Sequence, residues 1–360
     1  MRTKTRNKIF SIIMASLMLF FTLAIPVSAD EPNSYTFDIN QDSVWISAGT
    51  ATGTIKVSSA GTTIDDIPST TEFIITGNNN GKNHNISVAG GVNANLTFDN
   101  LTINNANTTY AYGLIIGGNS QANVTLLGTN SLVAGWGAVS ITVAAGNSVV
   151  FTEKSTGSLS VRNSNTFYPD IGGPYNGGDI TINGGTIDTG KLGNSQSIIT
   201  VNGGTMNADR VNSNEVILNG GKINTSNFNA SSITTDIALD SIWIYAGTNA
   251  GTTKLKTKGS TIDNIPSTTE YIFVGNNNGA NHNAQVTDGV TANITFDNLT
   301  INNTNTGYAY GLRIGEGSTA NVTLVGNNTL MAGSGTSAVS ISAGNTIVFT
   351  EESTGSLNAQ

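Results

Sequence analysis

Two tyrosines separated by one alanine occur twice in this sequence, each time followed by glycine. The first pair is Tyr110 and Tyr112, and the second pair is Tyr308 and Tyr310. If the segment is extended, side chains two residues apart project to the same side, so each pair presents two neighbouring aromatic faces. Aromatic faces with a hydroxyl at the edge are well suited to holding sugar rings. We predict carbohydrate contacts for these four tyrosines, with burial in the protein interior or bracing of a loop as the alternative.

Other polar residues offer weaker sites. Asp99 and Asp297 stand at equivalent positions of a repeated Phe-Asp-Asn-Leu-Thr-Ile-Asn segment, and their oxygens are candidates for polar or calcium contacts. Asparagine-rich segments precede His84 and His282 and could bind a cation or a sugar. Corner asparagines that bond the backbone are the favoured interpretation. Two isolated histidines do not make a metal cluster.

The sequence pattern contains no catalytic constellation. A lyase that abstracts a proton beside a uronate needs a Lys or Arg base next to an acidic calcium cluster. The basic residues are sparse and vary between the repeats: Lys82 becomes Ala280, and Lys154 becomes Glu352. We therefore predict no catalytic residues and no enzyme activity. A polysaccharide lyase remains an alternative.

The chain repeats itself at a spacing of 198 residues, as the pairs Asp38 and Asp236 or Phe98 and Phe296 show. The repeat unit spans residues 38–235. We predict a first unit over residues 30–235 and a second, truncated copy over residues 236–360 that continues the same structure. Trp45 and its counterpart Trp243 are predicted to lie in the core or to cap it, whereas Trp136, replaced by Ser334 in the second copy, is predicted to be exposed.

Short strands and tight corners dominate both units. Runs of alternating apolar and polar residues meet Asn-Gly-Gly corners that begin at Asn183, Asn202 and Asn219. The segments after these corners are short and no helical period appears, which favours an all-β solenoid, a parallel β-helix, over a meander of hairpins. Stacked coils would place equivalent residues over one another: Thr181 over Thr200 and Thr186 over Thr205, followed by Ile217 and Lys222.

The first 29 residues have the organisation of a signal peptide. A basic segment with Arg2, Lys4, Arg6 and Lys8 precedes an apolar run, and small residues end it at Ala29. Cleavage is favoured over retention as a membrane anchor, and we predict a secreted, extracellular or cell-surface protein that does not contact the membrane after cleavage. The chain has 15 Lys and Arg against 23 Asp and Glu and loses only basic residues with this segment, which argues against nucleic acid as a partner. Cysteine is absent, so disulfides are excluded.

Several motifs together carry a family resemblance. They include Phe-Asp-Asn-Leu-Thr-Ile-Asn, Ala-Asn-Val-Thr-Leu, the segment from Val149 to Val161, the segment from Asp170 to Gly178, and Ile-Thr-Ile-Asn-Gly-Gly-Thr. In these motifs the chain resembles parallel β-helix surface proteins of Gram-positive, clostridium-like bacteria with carbohydrate-binding domains. The resemblance spans nearly the whole chain after the signal peptide. It implies a right-handed, pectin-lyase-like β-helix that binds polysaccharide and in some cases calcium, and it assigns no individual ligand residue.

The sequence thus predicts a secreted, non-enzymatic protein that binds extracellular polysaccharide or a cell-surface glycan, or acts as an adhesin. The alternative is a passive shaft of a larger surface protein. Exposure of the tyrosines on one flank would favour sugar binding, and their burial would favour the shaft. The second unit stops before the three Asn-Gly-Gly corners, so we also expect an uncapped last coil that allows self-association.

Overall fold

Parallel strands paired with equivalent strands make up most of the computed structural model, which describes residues 33–164, 167–257 and 259–360. The described residues form strands and turns and contain no helix, so no helix among them is long and apolar enough to cross a membrane. The predicted signal peptide, residues 1–29, lies outside the described residues. The chain is therefore all-β over the part that the structure describes.

The strands are short, and their numbering follows the chain. Among the described residues, the strands that begin before the predicted repeat boundary are β1 Ser34–Asp38, β2 Val44–Ala48, β3 Thr54–Ser59, β4 Thr62–Pro68, β5 Glu72–Asn78, β6 Ile86–Val88, β7 Asn93–Asn104, β8 Leu114–Ile116, β9 Gln121–Leu127, β10 Thr129–Ala134, β11 Ile141–Val143, β12 Ser148–Phe151, β13 Ser158–Asn163, β14 Ile171–Gly172, β15 Asp179–Ile182, β16 Thr186–Leu192, β17 Ile198–Val201, β18 Thr205–Leu218, β19 Lys222–Thr225 and β20 Phe228–Asp236. The remaining strands are β21 Ile242–Ala246, β22 Thr252–Thr257, β23 Ser260–Pro266, β24 Glu270–Asn276, β25 Ala284–Val286, β26 Thr291–Asn302, β27 Leu312–Ile314, β28 Thr319–Val325, β29 Asn327–Met331, β30 Val339–Ile341, β31 Thr346–Phe349 and β32 Ser356–Ala359.

Parallel pairing stacks apolar side chains into continuous rows. Phe98 pairs with Ile75 on one side and with Leu126 on the other, and all three side chains are fully buried. Alternate residues of each strand point inward, so the apolar residues that recur every second position in the sequence are the buried ones. Parallel pairing then aligns them with the buried residues of the neighbouring strands. Each such side chain contributes roughly 1.5–3 kcal/mol through burial. These rows form the core that holds the surface loops in place.

The Asn-Gly-Gly segments pair in the predicted register. Thr181 pairs with Thr200, and Thr200 with Ile217, while the row after the corner contains Thr186, Thr205 and Lys222. The stacking prediction for these segments is confirmed. The corner asparagines also bond to each other, with distances of 2.8 Å from Asn202 Nδ2 to Asn183 Oδ1 and 2.9 Å from Asn219 Nδ2 to Asn202 Oδ1.

Each unit also contains an antiparallel meander, which the sequence analysis did not predict. Strands β2, β3 and β4 pair antiparallel, as do β21, β22 and β23. Ala60 and Gly61 both have positive φ values, 48° and 74°, and join β3 to β4 as a tight two-residue turn. Such turns match the twist of a hairpin. An alternating sequence is common to parallel and antiparallel strands, so the period of two did not distinguish them.

The two repeats share one continuous ladder. The predicted boundary after residue 235 falls within β20, and this strand pairs in parallel with β24 of the second copy. Residues 34–360 form one compact unit. The sequence repeat therefore does not divide this part of the chain into separate bodies.

Candidate functional site

Three loops of the first unit lie side by side because the strands that flank them are paired. Strands β7, β10 and β13 pair in parallel, and so do β8, β11 and β14. The connections from β7 to β8, from β10 to β11 and from β13 to β14 therefore leave and re-enter the sheet at adjacent positions. Loops far apart in sequence therefore lie next to each other at the ends of these strands. The loops include residues 105–113, 135–140 and 167–170.

Tyr110 extends from the first of these loops into solvent. Its side chain is 64% exposed, and its backbone has φ 56°, so the predicted extended conformation of the Tyr-Ala-Tyr segment is wrong at this residue. A left-handed conformation is costly for an aromatic residue and persists where surrounding contacts impose it. Here the Tyr110 N–H donates to the Trp136 carbonyl at 2.8 Å. Tyr308 in the second copy repeats this conformation, with φ 51° and 83% exposure.

A buried asparagine fixes the base of the same loop. Asn105 Nδ2 donates to the Tyr112 carbonyl at 2.8 Å and to the His84 carbonyl at 3.0 Å. Its Oδ1 accepts from Asn79 Nδ2 at 2.7 Å. A buried amide with all its bonds made is rigid, because breaking any of them leaves an unpaired polar atom. This network orients the segment that carries Tyr110 and Tyr112.

Trp136 of the second loop packs edge-on against Tyr110. The ring centroids are 6.3 Å apart and the planes meet at 64°. Trp136 is 59% exposed, which confirms the prediction for this residue. An edge-to-face pair is an attractive arrangement that leaves broad faces open to solvent.

Two further tyrosines join from the third loop and the connection after β14. The hydroxyl groups of Tyr168 and Tyr175 are 3.0 Å apart, and the rings meet at 79° with centroids 5.9 Å apart. The hydrogen bond to Tyr175 and electrostatic repulsion from the same residue raise the pKa of Tyr168, and desolvation and weaker repulsion from Tyr110 and Tyr112 raise it further. Tyr175 is 78% exposed. We call these five residues the aromatic group: Tyr110, Tyr112, Trp136, Tyr168 and Tyr175.

A buried carboxylate holds the third loop against the next strand. Asp170 Oδ2 accepts from the N–H groups of Gly190 at 2.7 Å and Lys191 at 2.8 Å, and Oδ1 accepts from the Asn163 N–H at 2.8 Å. Burial raises the pKa of Asp170, although these three N–H groups partly offset the rise. The carboxylate thus acts as a clamp between the loop and β16.

The second copy contains a reduced version of the aromatic group. Tyr308 is exposed and Tyr310 is half-buried, with the Arg313 guanidinium 5.9 Å from the Tyr310 ring centroid. Ser334 stands where the first copy has Trp136, and its carbonyl accepts from the Tyr308 N–H at 3.2 Å. The structure therefore brings Tyr110 and Tyr112 into a larger aromatic surface but gives Tyr308 and Tyr310 no equivalent of Trp136.

The calcium candidates have local amide partners. Asp99 Oδ1 accepts from Asn100 Nδ2 at 2.8 Å, and Asp297 Oδ1 accepts from Asn298 Nδ2 at 2.7 Å. Within the described ranges, no three His, Asp or Glu side chains come together to hold a metal ion. A calcium requirement stays a prediction without geometric support at these residues.

The histidines and their asparagine neighbours have structural contacts. The distance from His84 Nδ1 to the Ile39 carbonyl is 2.6 Å, and the equivalent distance from His282 to Ile237 is 2.7 Å. Asn79 and its counterpart Asn277 are buried and bond to neighbouring corners. Asn79 Nδ2 also donates to the Lys82 carbonyl at 2.5 Å and Asn79 Oδ1 accepts from the Asn104 N–H at 2.9 Å, which confirms the interpretation of this segment as a backbone-bonding corner.

The core position predicted for Trp45 is wrong. Its side chain is 59% exposed, because it lies between buried Val44 and Ile46 and alternation directs it outward. Trp243 is half-buried, and the Lys256 ammonium lies 5.4 Å from its ring centroid. In the first copy, Ser58 occupies the position of Lys256 and leaves Trp45 uncovered.

Acidic residues in the meanders serve as corner acceptors. Asp65 accepts from the Thr50 hydroxyl at 2.7 Å and from the Thr50 N–H at 3.0 Å, and these bonds lower its pKa. The equivalent Asp263 also forms an ion pair with Lys254 at 2.9 Å. Burial raises the pKa of Asp263, but hydrogen bonds from the Thr248 hydroxyl and N–H, from Lys254 and from the Asn264 N–H together lower it to about 2.

The sequence analysis missed Tyr168 and Tyr175 as members of the aromatic group. A signal was present, since both tyrosines stand beside proline: Tyr168 in Phe-Tyr-Pro and Tyr175 in Pro-Tyr-Asn. Aromatic residues at proline-containing corners are candidates for surface exposure. The position of their loop beside the Tyr110 loop could be recognised only once the pairing of the flanking strands was known.

Searches against protein-family models, curated proteins and solved structures found nothing that matches this chain.

Proposed function

We propose that this chain is a secreted, non-enzymatic, extracellular or cell-surface protein that binds carbohydrate through the aromatic group. The observation that carries the proposal is the exposure of Tyr110 and Trp136, which pack against each other on adjacent loops, together with exposed Tyr175, which packs against Tyr168 of the third loop. Apolar residues exposed together are unusual on a soluble surface and mark interaction sites. Flat rings with hydroxyl groups at their edges match the alternating apolar faces and hydroxyl edges of sugars.

We further propose that the parallel ladders form a right-handed β-helix of the pectin-lyase type. Parallel strands that follow each other along the chain require crossover connections, and such connections are almost always right-handed. The stacked rows at Ile75, Phe98 and Leu126 support a coil that repeats with one strand spacing per turn. A rigid framework of this kind keeps loop positions fixed, so the aromatic group needs little reordering to bind.

Affinity for polysaccharide tests the functional proposal. The variant Tyr110→Ala/Trp136→Ala/Tyr175→Ala should bind any glycan identified on an array at least about tenfold more weakly, since each aromatic contact contributes on the order of 1 kcal/mol. Trp45→Ala is the matched control, because Trp45 and Trp136 are equally exposed. A second variant, with Tyr308 and Tyr310 changed to Ala, measures how much the second copy adds.

Three outcomes decide between binding module and passive shaft. Loss of binding in the triple variant with an unchanged β spectrum supports the proposal. Equal loss in the Trp45 control would show nonspecific adsorption, and the absence of any bound glycan would favour a shaft. Incubation of the bound polysaccharide with the protein, followed by measurement of new unsaturated or reducing ends, tests the absence of enzyme activity.

A further inference from the structure

Two basic residues lie beside the aromatic group, in strands that continue through the positions where the preceding strands are interrupted by loops. Strand β16 runs directly through this corner at Lys191, and β18 does so at Arg210. The two residues are paired in the parallel register, so they stand one strand spacing apart, about 4.8 Å. The loop that carries Tyr168 ends at Asp170, which is clamped to the N–H of Lys191. The basic pair therefore adjoins the loop wall.

Neither basic side chain has a charged partner within the described part of the chain. The ion pair found there is Lys254 with Asp263, and Asp170 accepts from the backbone N–H of Lys191, not from its Nζ. Like charges on adjacent strands are unfavourable. Such a pair in a chain with excess negative charge is explained most directly by an external anion.

A cleft of about 280 Å³ contains both cations. Phe167, Pro169 and Pro174 form its apolar side, and Asn194 and Asn212 add amide groups. Asn212 Oδ1 accepts from Asn229 Nδ2 at 2.9 Å, while the Asn212 amide nitrogen has no acceptor among the described residues. The cleft thus combines apolar walls, two cations and a free amide donor. The segment from Phe167 to Tyr175 contributes to both the cleft and the aromatic group, which makes the two surfaces adjacent.

The nearby carboxylates do not neutralise this pair. Asp170 is buried, and its two oxygens accept from the N–H groups of Asn163, Gly190 and Lys191. Asp209 precedes Arg210 but lines a different groove, with Arg162 and Asp188. An anion in the cleft would therefore meet Lys191 and Arg210 as its first charged neighbours.

We propose that Lys191 and Arg210 form a subsite for an anionic substituent of the glycan bound by the aromatic group. The ligand class is a glycan that carries a carboxylate, a phosphate or a sulfate. Arginine can bind such groups through two parallel hydrogen bonds, and lysine adds a point charge. This inference rests on the proposed function, since the aromatic group supplies the contacts to the sugar ring.

A glycan array with neutral, uronate-containing, sulfated and phosphorylated members tests the inference on the full chain. The variant Lys191→Gln/Arg210→Gln should lose about tenfold or more in affinity for acidic glycans and keep its affinity for neutral ones, because charge-assisted bonds are lost. Lys154→Gln/Lys222→Gln is the matched control, since it removes the same charge at exposed residues outside the cleft. The kind of acidic glycan retained by the unmodified chain distinguishes carboxylate from phosphate and sulfate.

The outcomes separate this inference from the proposed function. If the unmodified chain binds only neutral glycans, or if both double variants lose acidic glycans equally, the anionic subsite is refuted while carbohydrate binding stands. If no glycan binds, both proposals fail. Selective loss of acidic glycans in the Lys191 and Arg210 variant, with an unchanged melting temperature, supports the subsite.

Discussion

The ring of Tyr110 lies against the backbone of Gly137. A Cβ atom added at Gly137 would come within 2.8 Å of Tyr110 Cε1, whereas at the equivalent Gly335 the closest ring atom of Tyr308 is 3.4 Å away. Both glycines have φ 80°, so the backbone strain of an alanine is the same at both sites. Gly137→Ala should therefore displace Tyr110 and weaken glycan binding severalfold, and Gly335→Ala should not. Equal effects on binding in the two variants would contradict this account of the Tyr110 position.

Ser334 offers a gain-of-function prediction. Its carbonyl accepts from the Tyr308 N–H as the Trp136 carbonyl does from Tyr110, and its side chain is exposed. Ser334→Trp should place an indole beside Tyr308 and create a second edge-to-face pair. We expect stronger retardation of the variant in gels that contain the bound polysaccharide. Ser337→Trp, an exposed serine in the same loop, is the control, and an equal gain there would indicate nonspecific stickiness.

Asp170 is expected to act on binding through loop position. In Asp170→Asn an amide group faces backbone N–H donors, so we expect a loss of about 1–3 kcal/mol in the free energy of unfolding and weaker glycan binding. Asp188→Asn is the matched substitution, because Asp188 Oδ1 accepts from Asn207 Nδ2 at 2.6 Å and an asparagine there can still accept. Urea unfolding and glycan affinity should change in the first variant and stay near the original values in the second.

Asn105 should be the most sensitive position of the first loop. Asn105→Ala removes the bonds to Asn79, His84 and Tyr112 in a buried setting, for an expected loss of about 2–4 kcal/mol. Asn303→Ala should cost a similar amount, because Asn303 makes the equivalent bonds in the second copy. Exposed Asn107 is the control. Urea unfolding measures the stability of all three variants. An unchanged free energy of unfolding in Asn105→Ala would show that this hydrogen-bond network does not stabilise the loop.

Stability should depend on Asp263 at acidic pH. Its pKa is about 2 in the folded chain against an ordinary value of 3.8, so the folded state favours the ionised form. This contribution is present above about pH 4 and is lost as pH falls towards 2. Asp263→Asn should lower the free energy of unfolding at pH 5 to 7 and have little effect near pH 2. A carboxyl titration by nuclear magnetic resonance with a midpoint near 3.8 would contradict the prediction.

The sequence predicts strand stacking well where corner residues set the register. Asn183, Asn202 and Asn219 occupy equivalent corners of successive segments. Aligning these corners predicts the pairing of Thr181 with Thr200 and of Thr186 with Thr205. It does not predict the hairpin at Ala60, because alternation is the same for parallel and antiparallel strands. Nor does the sequence predict the outward direction of Trp45. Val44, Trp45 and Ile46 are all apolar, so the sequence does not show which of them alternation turns outward.

The candidate site was predictable only in part, for a reason of distance along the chain. Tyr110 was recognisable because its motif is repeated, and Trp136 because the repeat replaces it. Tyr168 and Tyr175 belong to neither pattern, and the loop that carries Tyr168 lies beside the Tyr110 and Trp136 loops only because β7, β10 and β13 pair. Lys191 and Arg210 are separated by 19 residues in sequence, and their adjacency depends on the register of β16 and β18.

The continuous ladder also fixes a distance between the two tyrosine loops. One row runs through Asn95, Asn123, Val150, Thr181, Thr200, Ile217, Thr234, Ile272 and Thr295. Its eight steps of about 4.8 Å separate the level of β7 from the level of β26 by roughly 38 Å. A short oligosaccharide could occupy one loop at a time, whereas a polymer long enough to span the gap would gain from a high effective concentration at the second loop. If the chain binds polysaccharide as proposed, the number of strand levels between the repeats sets the ligand length at which affinity rises.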